Sequence, residues 1–232
     1  MKLLALDCST EACSVALLDD DKGEVEIIEK SEPAARQHTR RLLPLVDTLL
    51  ADADVMLTQL DAIAFGRGPG SFTGLRICLG AVQGLAFGAD LPVVPVSTLA
   101  ALAQTAVNAG HKSPMIISTL DARMDEIYWA VFSAQEQGVE LVDTERLTAP
   151  EQLLDGHSLD LGTSVAVGSG YHYNDRISAA SEFNTWDGEM LPSAKAIAQL
   201  ARRDYLLGKT CRADKALPTY LRDEVAWHKQ PL

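Results

Sequence analysis

The chain has 232 residues, 47% hydrophobic and 22% charged, which suits a globular protein of one large domain or two small lobes. A net charge of −12 repels phosphate backbones and excludes a solitary nucleic-acid binder. Cys8, Cys13, Cys78 and Cys211 form no Cys-x-x-Cys pair, and His38, His111, His157, His172 and His228 show no ligand spacing, so zinc, redox and histidine-metal motifs are excluded.

In chain order, Leu3-Leu4-Ala5-Leu6-Asp7 reads as a buried first strand. The apolar run is too short for a signal peptide, and Asp7 ends it. Cys13 to Leu18 is a second strand, so Cys8 and Cys13 could face each other across a hairpin as reduced thiols. Val25 to Glu29 is a third strand. Gln37 to Leu50 is a helix with Leu42, Leu43, Val46, Leu49 and Leu50 on one face. Pro44 should kink it or mark its true start. Asp61 to Phe65 is a strand, Thr73 to Phe87 a helix, Leu91 to Val96 a strand and Thr98 to Ala109 a helix.

The pattern then begins again. Ile117-Ser118-Thr119-Leu120-Asp121 followed by Ile127 to Phe132 repeats the first unit 114 positions later. In both copies a short apolar strand ends in aspartate, five residues intervene and a second apolar strand follows; Glu11 and Asp125 coincide. Such a repeat predicts two similar lobes, with residues 1–109 and 110–232 as the division and the last helix and tail packing back on the first lobe. Residues 133–164 give no usable periodicity. Val165 to Val167 is a strand running into Gly168-Ser169-Gly170, and Ser193 to Leu207 is a helix with Ser193 as N-cap and Gly208 as its stop. Strands alternating with helices define an α/β layered fold.

The densest signal is Gly66-Arg67-Gly68-Pro69-Gly70-Ser71-Phe72-Thr73-Gly74-Leu75-Arg76. Strand, glycine turn and helix bring backbone N–H groups close to a ligand or to another part of the chain. No Gly-Lys-Ser/Thr closes the turn, and Thr73 stands where a dinucleotide fingerprint needs its third glycine. The following helix has one core face of Leu75, Cys78, Leu79, Val82, Leu85 and Ala86. The opposite face carries Thr73, Ile77, Gly80, Ala81, Gly84 and Gly88 and no charge. Glycine in a helix interior costs about 1 kcal/mol relative to alanine, so something must approach this face closely. Either the helix at residues 37–50 covers it, or a partner subunit does. The charge-free run Ile77 to Ala89 is short for a membrane core of about 30 Å, and a cytoplasmic protein is expected.

Leu4-Ala5-Leu6-Asp7-Cys8-Ser9-Thr10, the Gly66 to Arg76 block, Asp121 to Tyr128 and Pro218-Thr219-Tyr220-Leu221-Arg222 resemble the TsaB (YeaZ) family. The resemblance spans residues 1–132 and the C-terminal tail and weakens between 133 and 190. It implies a duplicated two-lobe actin/Hsp70/sugar-kinase-like, ribonuclease H-like α/β fold. It also implies a role beside the related catalytic subunit TsaD and the ATPase TsaE, which move a threonylcarbamoyl group from its adenylate to N6 of the tRNA adenosine next to the anticodon. Where TsaD has a His-x-x-x-His metal pair, this sequence holds Thr98 and Leu102, neither of which can replace an imidazole at a catalytic metal. The resemblance thus implies a non-catalytic partner that binds no cofactor tightly, with ATP/ADP and metal on TsaD and TsaE and tRNA reached only through the complex. Docking would use Leu42, Leu45 and Leu49 of the first helix and Thr73, Arg76, Ile77, Gly80, Ala81, Gln83 and Gly84 of the second. Two copies of the chain could pair on the same surface. Gly66, Gly68, Pro69, Gly70 and Gly74 would shape the structural loop.

Two other readings follow from the residues. An actin-fold ATPase or small-molecule kinase would place Asp7 and Asp121 at its phosphate loops to orient Mg²⁺ and water. Neither following turn is glycine-rich, however, and Glu11, Asp125 and Glu126 would repel phosphates. Against a metallohydrolase or protease stands the histidine spacing; a Ser/His/Asp triad stays open, without a Gly-x-Ser-x-Gly elbow to support it, and Gly168-Ser169-Gly170 reads as a strand-end turn.

Overall fold

The computed structural model describes residues 1–20, 24–34 and 36–222. His228 lies outside the described residues. The first sheet contains β1 (Lys2–Asp7), β2 (Ala12–Asp19), β3 (Glu26–Pro33), β4 (Ala62–Gly68) and β5 (Val93–Ser97), in the order β3-β2-β1-β4-β5. Its helices are α1 (His38–Asp52), α2 (Phe72–Ala89) and α3 (Thr98–Asn108). The second sheet contains β6 (Met115–Arg123), β7 (Glu126–Gln135), β8 (Gly138–Leu141), β9 (Arg146–Thr148), β10 (Val165–Val167) and β11 (Thr185–Asp187). Its path is β8-β7-β6-β10-β11, with β9 paired to β7. The helix α4 (Ala194–Leu206) follows β11.

The two sheets repeat one topology strand for strand. Each opens with an antiparallel hairpin, β1–β2 or β6–β7, and extends on the far side by two parallel strands. After the last parallel strand each half runs into one helix, α3 or α4. The duplication visible in the two aspartate-ended strands is therefore the organisation of the whole fold.

β1 is apolar along its length because both its faces are covered. Leu3 and Ala5 join the core between the sheets, where α3 and α4 also lie. Leu4 and Leu6 face the opposite core, closed by α1 and α2. On the outer face of the second sheet no such helices exist among the described residues. Leu153, Leu154, Ile177 and Phe183, from turns and loops beside short 3₁₀ segments, fill that place, against Ile117, Trp129 and Val131.

Several local expectations change. The helix α1 runs through Pro44 from His38, so Pro44 does not mark its start. β3 is longer than expected and shifted towards its C-terminal end, because it pairs with β2 along eight residues. The second aspartate turn is not a five-residue loop: β6 continues to Arg123 and β7 restarts at Glu126. Arg123, Met124 and Asp125 all take positive φ, the twist a tight hairpin requires. The helix α2 has 18 residues and is, by length and mean hydropathy of 1.3, apolar enough to cross a membrane, so length does not exclude a span as the charge-free run suggested. One third of it is buried within the domain, Leu75, Cys78, Leu79, Val82 and Ala86 among those residues, while Phe72 and Phe87 are exposed.

Candidate functional site

The glycine turn joins β4 to α2 at the carboxyl ends of the parallel strands, the edge where open α/β sheets hold ligands. Here the glycines make room for the chain itself. A Cβ on Gly66 would lie 2.1 Å from Asp7 Oδ1, one on Gly70 2.5 Å from the Ser9 carbonyl and one on Gly74 1.9 Å from the Cys8 carbonyl. Gly68 has φ +105°, and a Cβ there would meet the Thr219 carbonyl at 2.7 Å. Pro69 follows a cis peptide bond. Ser71 caps α2, its side chain accepting from Gly74 N–H, which satisfies one of the free donors of the first turn. The Cys8 and Cys13 thiols meet across the β1–β2 turn at 3.6 Å and are free.

Asp7 is buried beneath this turn and accepts from the Ser9 N–H and hydroxyl, 3.2 and 2.8 Å away. Burial pushes its carboxyl up to about 7, and the two Ser9 bonds pull only partly the other way. Asp7 Oδ1 and Thr98 Oγ1 are both buried without a hydrogen-bond partner, 2.1 and 3.4 Å from where a Gly66 Cβ would stand. Leu102 packs into the inter-sheet core, its Cδ2 2.6 Å from where a Gly168 Cβ would stand. Positions 98 and 102 thus offer one hydroxyl and one hydrocarbon, a donor set that does not fit a catalytic metal. Among the described residues no three His, Cys, Asp or Glu side chains are grouped to hold one.

Asp121 is placed differently from Asp7. It is 12% exposed and pairs with Arg123 at 2.8 Å. It also accepts from Arg123 N–H at 2.7 Å and the Tyr173 hydroxyl at 3.1 Å. Asp125 and Glu126 are engaged by Arg176 and Arg222. The carboxylates of the second turn are therefore occupied by side chains of the same chain, Arg123 from the turn itself and Tyr173, Arg176 and Arg222 from elsewhere.

The outer face of α2 is open. Thr73, Arg76, Gly80 and Gly84 are exposed, and Ile77, Ala81 and Gln83 are partly buried. A Cβ on Gly80, Gly84 or Gly88 would meet nothing within 4 Å. α1 does not lie on these glycines, so the intramolecular cover considered from the sequence is absent. On α1 the docking assignment needs correcting. Leu42 and Leu49 are buried in the core with Val46 and cannot meet a partner; Leu45 is partly exposed. The apolar stripe of α1 faces its own sheet.

Sequence reasoning gives no role to Glu145, Thr219, Tyr220 or Arg222, although Thr219, Tyr220 and Arg222 stand in one of its motifs. Glu145 accepts from Ser97 Oγ and pairs with Arg67 at 3.2 Å. Thr219 N–H donates to the Arg67 carbonyl at 2.7 Å and Thr219 Oγ1 accepts from Arg67 Nη1 at 2.6 Å.

These features define a duplicated α/β protein of the actin, Hsp70 and sugar-kinase class, ribonuclease H-like in each half. A family model described as TsaD, tRNA N6-adenosine threonylcarbamoyltransferase, matches residues 28–178. The chain is 42% identical to the tRNA threonylcarbamoyladenosine biosynthesis protein TsaB of Haemophilus influenzae, covering 100% of this chain and 98% of that one. It is 40% identical to the protein of the same name from Escherichia coli, over 100% and 99%. The solved structure of YeaZ from Pseudomonas aeruginosa superposes with a TM-score of 0.87 at 41% identity, covering 95% of this chain and 99% of that one. The chain belongs to the TsaB (YeaZ) family.

Proposed function

We propose that this chain is a non-catalytic partner subunit in the cytoplasmic machinery that makes threonylcarbamoyladenosine in tRNA. It supports TsaD, with TsaE in a ternary complex, as the threonylcarbamoyl group passes from threonylcarbamoyl-AMP to N6 of the adenosine next to the anticodon. Nucleotide and metal belong to TsaD and TsaE, and tRNA is reached through the complex. Alone, the chain pairs with a second copy on the same surface.

The observation that carries this reading is the open glycine face of α2. Gly80 and Gly84 are exposed in a helix interior with nothing near their Cβ positions, each at a cost of about 1 kcal/mol. The fold gives no internal reason for that cost, whereas a closely packed partner helix supplies one. The surface is Leu45, Thr73, Arg76, Ile77, Gly80, Ala81, Gln83 and Gly84. Names of full-length relatives place them in the same pathway. Size-exclusion chromatography with light scattering, on the chain alone and mixed with TsaD, tests it. A heterodimer should form at the expense of a homodimer, and Gly80→Leu with Gly84→Leu should abolish it. Normal TsaD binding by that double variant would rule out this surface.

The actin-fold ATPase or kinase reading has less support. Asp7 is buried against Gly66 and Ser9, and Asp121 is held by Arg123 and Tyr173, so neither carboxylate faces an open phosphate loop.

A further inference from the structure

After α4 the chain returns to the first sheet and crosses to the second. Cys211 pairs with Val93 on the open edge of β5. The Ala216 carbonyl accepts from Gln83 at 3.1 Å. Thr219 is bonded through backbone and side chain to Arg67, and its carbonyl fills the space beside Gly68. The Tyr220 ring stacks on Phe72 at 5.4 Å, and its hydroxyl accepts from Arg76 at 3.1 Å. The chain then reaches Arg222. That guanidinium leaves the first lobe and grips the β6–β7 turn of the second. It pairs with Glu126 at 2.6 Å and donates to the Ala122 and Arg123 carbonyls at 3.1 and 3.4 Å.

The last of these contacts, those of Thr219 and Arg222, lie at the carboxyl ends of β4 and β6, where Thr219 meets Arg67 and Arg222 meets the β6–β7 turn. All three acceptors surround one nitrogen, Nη2, whose two N–H bonds are shared among them, while Nη1 donates to Met124 Sδ at 3.1 Å; a guanidinium, with two such nitrogens in one plane, reaches both sets at once. The tight turn with its three positive φ values presents Ala122 and Arg123 carbonyls that Arg222 satisfies. Arg67 adds a second tie, holding Thr219 with one nitrogen and Glu145 with another.

We propose that residues 216–222 are a strap that latches the two lobes together, tying the glycine turn after β4 to the β6–β7 turn, with Arg222 as its catch and Thr219 as its anchor. The strap holds the glycine turn of the first sheet and the β6–β7 turn of the second in fixed relation.

Hydrogen exchange read by mass spectrometry on the full chain tests it, with Arg222→Ala, Arg222→Lys and Glu126→Gln. Opening free energies are local, so the exchange of each segment reports the interactions that hold that segment closed. In Arg222→Ala, exchange in residues 66–70 and 121–127 should rise together by about tenfold, as removal of one charge-assisted set of hydrogen bonds implies. Residues 99–106 of α3 should stay unchanged. Arg222→Lys keeps the ion pair but not the second nitrogen and should fall between; Glu126→Gln should move the same two segments less. If only residues 217–222 exchange faster, the tail frays while the lobes stay as they were, and the latch is overturned. Unchanged exchange in every segment overturns it as well.

Discussion

A carboxyl that is 1% exposed has given up the water that stabilises its charge, and Ser9 returns only part of it. Burial therefore raises Asp7 to about 7 from 3.8. A folded pKa above the unfolded one means that the folded chain holds a proton the unfolded chain has released. Stability is complete below about pH 4, falls as pH rises towards 7 and is level above that. At about 1.4 kcal/mol per pH unit, the fall is at most about 4 kcal/mol. Urea unfolding at pH 5 and pH 8 should show the part of this loss that falls between those values, about 2–3 kcal/mol, in the parent and a much smaller one in Asp7→Asn. An equal pH dependence in both would show that Asp7 is charged at no cost. Two glycines make a second contrast at this scale. An alanine Cβ at position 74 would stand 1.9 Å from the Cys8 carbonyl, whereas at position 80 it would meet nothing. Gly74→Ala should destabilise the chain by about 1–3 kcal/mol through overpacking. Gly80→Ala should stabilise it by up to about 1 kcal/mol through helix propensity. The same sign for both, measured by thermal unfolding, would contradict the packing described.

At the scale of elements, the legible parts are those with local punctuation. Ser71, Ser97 and Ser193 each cap a helix by accepting from the third residue on, and Asp90 and Gly208, both at positive φ, lie at or just past the ends of α2 and α4. Ser193→Ala should cost about 1 kcal/mol, and a change under a few tenths would mean that packing alone fixes the start of α4. Other parts have no local signal. β9, β10 and β11 have three residues each, too few for alternation to show; only β10 is marked, by the glycine turn that follows it. The β6–β7 turn lacks glycine, so its positive φ values leave no trace in the sequence, which predicts a longer loop than the one that forms. Periodicity finds both faces of α2 and the apolar stripe of α1, but not what covers them. Leu42 and Leu49 fit a core or a docking surface equally well in sequence, and only their burial decides for the core. Gly80 and Gly84 pose the same question, and they stay uncovered.

For the whole molecule, the shared core decides how the halves depend on each other. Leu3, Ala5, Ala16 and Leu18 of the first sheet share one buried cluster with Ala194, Ile197, Ala198 and Ala201 of α4. Polar ties run the same way: Ser14 Oγ accepts from Ala194 N–H at 3.1 Å, Glu29 from Lys195 N–H at 3.0 Å, and Asp20 pairs with Arg202 at 2.9 Å. A fragment of residues 1–109 would keep α1 and α2 on one face of its sheet and leave the other face without α4. Burial of a Leu side chain is worth about 1.5–3 kcal/mol, and a domain's net stability is only about 5–15 kcal/mol. The fragment should therefore bind hydrophobic dye and melt without a cooperative transition. Joining residues 191–208 to it through a short glycine-serine linker should restore cooperativity, because α4 carries both the apolar face and the three polar ties. If residues 1–109 alone unfold in one sharp transition with native-like near-ultraviolet dichroism, the first lobe folds independently and the shared core is only an interface.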